Sequence, residues 1–171
     1  MRDQPDRSLG FVLVFHRGDR VRSDEWITPR PLFHRLNREF RFTLDAAATS
    51  RTARVRPYIS RYSLTRPWRG RVWCNPPYSG GVEAWVRKAA ASVREGAEVV
   101  VVLVPVDTST RWWHEVIMRR ASEVRFIRGR LSFTNPWHPK SDRSASAHAV
   151  VIFRHRRRWA WFAIGTDGKL R

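Results

Sequence analysis

The stretch that decides the fold is Val72-Trp73-Cys74-Asn75-Pro76-Pro77-Tyr78-Ser79-Gly80-Gly81. Three apolar residues run into an asparagine, two prolines, an aromatic ring and two glycines. This reads as a strand, a rigid loop and a small-residue entry to a helix. The prolines fix φ and carry no N–H donors. What the loop offers is acceptors. The Asn75 side-chain oxygen and the Pro76 carbonyl can take both hydrogens of one amino group. The Tyr78 ring can stack on the planar system that bears the amine. Asn-Pro-Pro is also an ordinary turn, and tyrosine often packs over proline. The apolar strand before it, with the glycines and an amphipathic helix after it, weighs toward a site.

Such a loop suits methylation of an exocyclic amine. That nitrogen is a poor nucleophile because its lone pair is delocalised into the ring. Acceptors on both N–H bonds favour a more tetrahedral nitrogen and stabilise the charge that develops during attack.

Outward from this loop, strands alternate with helices. Thr28-Pro29 with Pro31 marks a helix start, and Leu32, Phe33, Leu36 and Phe40 share one face. Phe42 to Leu44 reads as a strand ending at Asp45, followed by the small run Ala46 to Ser50. Val82, Trp85, Val86, Ala89, Ala90 and Val93 recur at helical spacing, and Gly96 ends that helix. Val99 to Val104 is apolar on both faces, as in a central parallel strand. Ser109 is placed as an N-cap for a helix carrying Trp112, Trp113, Val116 and Ile117. Strands follow at Val124 to Ile127, Gly129 to Phe133 and Ala147 to Phe153. The 134–146 segment reads as a mobile loop, and Trp159 to Ile164 as a strand pairing back in a hairpin. Residues 1–23 read as a tail with an edge strand at Phe11 to Phe15, and 24–171 as one domain. The expected fold is α/β, doubly wound, with a mostly parallel sheet, helices on both faces and a C-terminal antiparallel hairpin. Ligands in such sheets bind at the carboxyl ends of strands. Three loops fall there: Asp45 to Ser50, Asn75 to Ser79 and Pro105 to Ser109.

Charge sets the class of partner. Thirty-three Lys and Arg stand against 15 Asp and Glu, a net charge of +18. Arginine dominates, and its fork matches phosphate. A polyanion, and nucleic acid first, is the expected partner. From Ala46 to Val82 there is no acid, but there are seven arginines, interleaved with Tyr58, Tyr62 and Trp68. This is the pattern of a surface that tracks a backbone and stacks bases, or of a solvated basic loop whose aromatics turn inward. The single cysteine, Cys74, reads as a buried structural thiol in a reducing compartment. The longest apolar run is too short to span a bilayer, and residues 1–10 are polar. A cytoplasmic protein is expected. The histidines are scattered, so no metal site is expected. Nothing in the sequence sets an oligomeric state.

Taken in order, Asp24 to Pro29, Leu44 to Ala48, Trp73 to Tyr78, Leu103 to Trp112 and Gly129 to Phe133 resemble the motifs of the phage DNA N6-adenine methyltransferases. The resemblance covers about Asp24 to Phe153. It implies a Rossmann-like methyltransferase fold, S-adenosylmethionine as donor and adenine N6 in double-stranded DNA as acceptor. Carried over, Asn75, Pro76, Pro77 and Tyr78 form the catalytic loop, with Tyr78 stacked on an adenine flipped out of the duplex. Trp26, Thr28, Pro29, Asp45, Ala46 and Ala47 line the cofactor. Arg61, Arg66, Arg69 and Arg130 contact nucleic acid. The chain departs from the family pattern twice. Ala46 to Ala48 stands where many methyltransferases have Gly-x-Gly. The acid that often binds the adenosyl group is missing between Ala46 and Val82, so those contacts fall to backbone, hydroxyls or stacking. The same loop also suits adenine in RNA or a glutamine amide in protein, and the departures leave open a catalytically lapsed nucleic-acid-binding domain.

Overall fold

Every residue from Val99 to Val104 is buried, which puts this strand in the middle of the molecule. The structure is a computed structural model describing residues 25–155 and 160–170, with 138–143 described by backbone alone. The edge strand expected at Phe11 to Phe15 lies outside the described residues.

Strand β1 (Leu44–Asp45) pairs in parallel with β2 (Gly70–Cys74), and β2 with β3 (Ala97–Pro105). Along β3, alternate side chains face opposite ways. Val100, Val102 and Val104 pack with Val72, Cys74 and the inner face of helix α2 (Glu83–Arg94). Val99, Val101 and Leu103 pack with Trp73 and with Leu32, Leu36 and Phe40 of helix α1 (Arg30–Phe40). Helices therefore cover both faces, as the helical spacing of their apolar residues requires. Burying six aliphatic side chains here contributes on the order of 1.5–3 kcal/mol each.

The other edge of β3 corrects the expected topology. It pairs antiparallel with β7 (His148–Arg154), whose far edge pairs antiparallel with β4 (Glu123–Arg128). The sheet is therefore mixed, not mostly parallel, with the order β1-β2-β3-β7-β4-β8. A strand has two edges, and both edges of β7 are taken. The last strand, β8 (Trp161–Gly165), therefore cannot form the expected hairpin with β7. It adds in parallel to the free edge of β4.

The 134–146 segment is also more ordered than its composition implies. β5 (Ser132–Asn135) and β6 (His138–Arg143) form a two-stranded antiparallel ribbon. The Asn135 side-chain oxygen accepts the Trp137 N–H at 2.8 Å, and this Asx turn reverses the chain. Ser109 does not cap a helix through its hydroxyl, which donates instead to Asp107 at 2.7 Å. The helix that follows is wound as a π-helix over Trp113–Met118.

Loop 46–59 is tied back onto β1 by Asp45. Its carboxylate accepts the Arg54 N–H at 2.9 Å and the Ala47 N–H at 3.4 Å. Its backbone pairs with Pro57 and Ile59 as an extra rung on the sheet edge. Burial pushes the Asp45 carboxyl up to about 6, against the pull of those two N–H groups and the Arg54 charge. The folded state thus favours the protonated form. That stability is present below the unfolded value near 3.8 and is lost as pH rises through about 6. Asp45→Asn keeps an acceptor for Arg54 and does not ionise. Relative to this variant, the wild type should lose about 2–3 kcal/mol of unfolding free energy between pH 4 and pH 7. Parallel curves for the two proteins in chemical denaturation across that range would show that Asp45 does not carry this burden.

Candidate active site

The Asn75–Tyr78 loop leaves β2 where strand pairing stops at Cys74. Cys74 is fully buried, and burial raises its thiol well above the ordinary value, which makes it a packing residue. Asn75 Nδ2 donates to the Trp26 carbonyl at 2.9 Å. This fixes the amide so that Oδ1 faces the other way, where the Tyr78 hydroxyl donates to it at 3.2 Å. Pro76 is buried, while Asn75, Pro77 and Tyr78 are half-buried. Gly81, at φ +84°, turns the chain into α2, and the Gly81 N–H closes the turn onto the Tyr78 carbonyl.

An aromatic wall stands over this loop. The Tyr78 ring lies 6.4 Å from Phe133 in an edge-on contact and 5.8 Å from His148. Phe133 lies 5.2 Å from His148 and 6.4 Å from Trp26. Burial raises the Tyr78 phenol far above its ordinary range, so it acts as a neutral donor. His148 begins β7 opposite Pro105 at the carboxyl end of β3. Burial pushes its ring down to about 4, helped by the Arg130 charge and opposed by the Ser146 backbone. It is therefore neutral at pH 7.

The sequence-predicted cofactor residues gather beside the loop. Asp45 is opposite Trp73 in the register, and the Ala46 N–H donates to the Trp73 carbonyl at 2.8 Å. Trp26 reaches Asn75 as described. Ile27 bridges to Thr134, Thr28 is buried and Pro29 caps α1. Arg54 spans the two segments: its guanidinium donates to the Thr28 carbonyl and its backbone to Asp45. Arg54 Nε is buried with no partner among the described residues. Burial and the nearby Arg30 charge lower the Arg54 pKa, against the opposing pull of Asp45.

The four arginines assigned to nucleic acid do not form one patch. All are exposed. Arg61 lies between Ile59 and Ser63, which hydrogen-bond to the backbone of Asp45 and Ala46, so it is near the carboxyl ends of the strands. Arg130 follows β4 and acts electrostatically on His148, at the same end. Arg66 and Arg69 line a cleft of about 510 Å³ with Thr43, Tyr58 and Gly70, at the amino end of β2. Gly70 and Asn75 are five residue steps apart along β2, about 17 Å. The interleaved aromatics split: Trp68 is fully buried with its indole N–H on Ser63, whereas Tyr62 is exposed.

Sequence reasoning missed Arg54, His148 and the contact between Arg51 and Trp137. The Arg51 guanidinium sits 4.0 Å above the Trp137 ring, joining the loop after β1 to the β5–β6 turn. Phe133 was visible in the Gly129 to Phe133 motif but had no role attached. Among the described residues no group of three or more His, Cys, Asp or Glu is placed to hold a metal ion, and no helix is long and apolar enough to cross a membrane.

Residues 17–165 match the family model for DNA N-6-adenine-methyltransferase (Dam). The chain is 33% identical over 137 residues to the DNA N-6-adenine-methyltransferase of Haemophilus phage HP1, covering 76% of this chain and 78% of that protein. It is 32% identical over 119 residues to the DNA N-6-adenine-methyltransferase of Escherichia phage T1, covering 67% of this chain and 48% of that one. With nearly its whole length matched, the chain belongs to the DNA N-6-adenine-methyltransferase (Dam) family.

Proposed function

We propose that this chain transfers a methyl group from S-adenosylmethionine to N6 of an adenine in DNA, on a base turned out of the duplex to meet the Asn75–Tyr78 loop. The observation that carries the reading is the pair of hydrogen bonds on Asn75. The Trp26 carbonyl uses the amide nitrogen, so the amide oxygen is left as the acceptor for an incoming amine. The Pro76 carbonyl takes the amine's second hydrogen, and the two prolines keep competing N–H donors out of the loop. With both hydrogens held, the N6 lone pair turns out of conjugation and toward the methyl group, and the developing positive charge is stabilised by two fixed dipoles. Tyr78 stacks on the extruded base, replacing part of the stacking lost from the duplex.

S-adenosylmethionine supplies an electrophilic methyl on a sulfonium when bound. The residues beside the loop fit it. The buried Arg54 Nε has a hydrogen bond to give and a charge suited to the carboxylate of the donor's methionine end. Asp45 faces its ammonium or ribose hydroxyls. Ala46 and Ala47 allow close backbone approach, and Trp26, Thr28 and Pro29 form the opposite wall. Arg61 and Arg130 flank the target strand, and Arg66 and Arg69 extend phosphate contacts toward the amino ends of the strands. A DNA substrate places the enzyme in the cytoplasm of a bacterial or phage-infected cell.

The direct test is transfer of labelled methyl from S-adenosylmethionine to unmethylated DNA, with RNA and protein as comparisons; label in N6-methyladenine of DNA alone is the expected result. Arg54→Gln should weaken S-adenosylmethionine binding by about 1.5–3 kcal/mol in calorimetry, the scale of a hydrogen bond to a charged group. An unchanged dissociation constant in a folded variant would take Arg54 out of the cofactor site. Asn75→Ala should lower the single-turnover rate about 10²–10³-fold while sparing the affinity for DNA and cofactor. A variant that melts normally and methylates at a near-normal rate would overturn the mechanism.

A further inference from the structure

His148 is 1% exposed, and neither ring nitrogen makes a hydrogen bond of ordinary geometry among the described residues, although the Ser146 backbone lies close enough to act on the ring. A buried polar atom left unpaired costs about 1–3 kcal/mol, so such groups are rare and call for a reason. A phenylalanine would fill the same space without that cost. The surroundings are not those of a structural histidine. The rings of Tyr78, at 5.8 Å, and Phe133, at 5.2 Å, cluster against it and lie 6.4 Å from each other. Arg130 is the charged group that acts on it, and no carboxylate does, so no anion holds the ring as imidazolium. A neutral imidazole has one N–H donor and one acceptor.

The cover over His148 is also the cover over Asn75. One side chain, Tyr78, donates to Asn75 Oδ1 and lies against the His148 ring. An amine that takes over Asn75 Oδ1 competes with the Tyr78 hydroxyl, and displacing that ring uncovers the imidazole in the same movement. In adenine, two ring nitrogens lie on either side of the amine, N1 next to the carbon that carries it and N7 one atom further on, and both accept hydrogen bonds. We propose that His148 is a base-binding residue, whose imidazole N–H donates to one of these ring nitrogens once Tyr78 has given way. The inference rests on the proposed role of the Asn75 loop. It adds a reason for selecting a purine: a glutamine amide or any other amine without a neighbouring ring acceptor leaves His148 unpaired.

The test compares His148→Phe and His148→Gln with Asn75→Ala and wild type, on unmethylated DNA and with melting temperatures measured. His148→Phe should lower kcat/KM for methylation at least tenfold while its Tm equals or exceeds that of wild type. The two effects run in opposite directions because the unpaired nitrogens are gone. His148→Gln, which keeps a donor, should recover part of the rate. Methylation by His148→Phe at the wild-type rate, or a loss that only follows a fall in Tm, overturns the proposal. If Asn75→Ala is inactive while His148→Phe is fully active, this inference alone fails; if Asn75→Ala is fully active, the parent reading fails first. Should His148→Phe not fold, wild type still decides the matter on DNA copied with 7-deaza-dATP or with 1-deaza-dATP in place of dATP. One of the two copies should be methylated at least tenfold more slowly. Equal rates on both copies and on natural DNA would overturn the proposal.

Discussion

Strand β3 has two buried faces and two paired edges, and that constraint governs the rest of the molecule. With Val99 to Val104 apolar and enclosed, no polar chemistry can occur along the strand. β7 pairs with it from Val99 to Pro105 on one side, and β2 from Ala97 to Val102 on the other. Polar groups become available only where the ladder ends. The register sets Asp45 level with Trp73, and Cys74 level with Val102, so the ends of β1 and β2 come out side by side. A central strand buried and apolar on both faces thus leaves its acceptors and donors to the strand ends. The site lies at that edge because hydrogen-bonding capacity is left over there.

Within the edge, orientation comes from segments far apart in sequence. Asn75 can present its oxygen only because a carbonyl 49 residues earlier holds its nitrogen. Trp26 is in turn fixed through the Ile27–Thr134 bridge, which anchors this segment to the β5–β6 ribbon. Glu25 adds a second tie, accepting from the Trp137 indole at 3.2 Å. The ribbon that composition assigned to a loose loop is therefore part of the support for Asn75. Losing its turn would loosen the amide without touching the loop itself.

What could be read from the sequence was what local periodicity encodes. Leu32, Leu36 and Phe40 announce α1; Val86, Ala89 and Val93 announce α2; the unbroken aliphatic run announces β3. The Asn-Pro-Pro-Tyr loop was legible because proline and asparagine restrict the backbone by themselves. Pairing partners were not legible. His148 to Arg154 reads as a strand in any context, but nothing local says that both its edges are filled before Trp161 arrives. The 134–146 ribbon was hidden because a single Asx bond, not apolar alternation, sets its turn. His148 and Arg54 were hidden for a different reason. Each sits in an unremarkable local sequence, and its significance lies in what it fails to touch, which is a property of the folded surroundings.

The surplus charge has a structural logic as well. Most of the acids in the described residues are already paired within the fold: Glu98 with Arg71, Glu83 and Glu115 with Arg87, Glu95 with Lys88, and Glu39 and Glu123 with Arg125. The last set is a fixed clamp, with Arg125 forked onto Glu39 at 2.6 Å to tie α1 to β4. Arg61, Arg66, Arg69 and Arg130 make no ion pair among the described residues and are exposed. The counter-charges of these four side chains therefore come from outside the described fold. Two of them stand at the carboxyl edge with the Asn75–Tyr78 loop, and two at the amino edge of β2. A polyanion that satisfies both sets has to run along the direction of the strands, past the 57–59 segment that lines the outer edge of β1. Asn75 is approached from the carboxyl end of the sheet, because the helices close both of its faces.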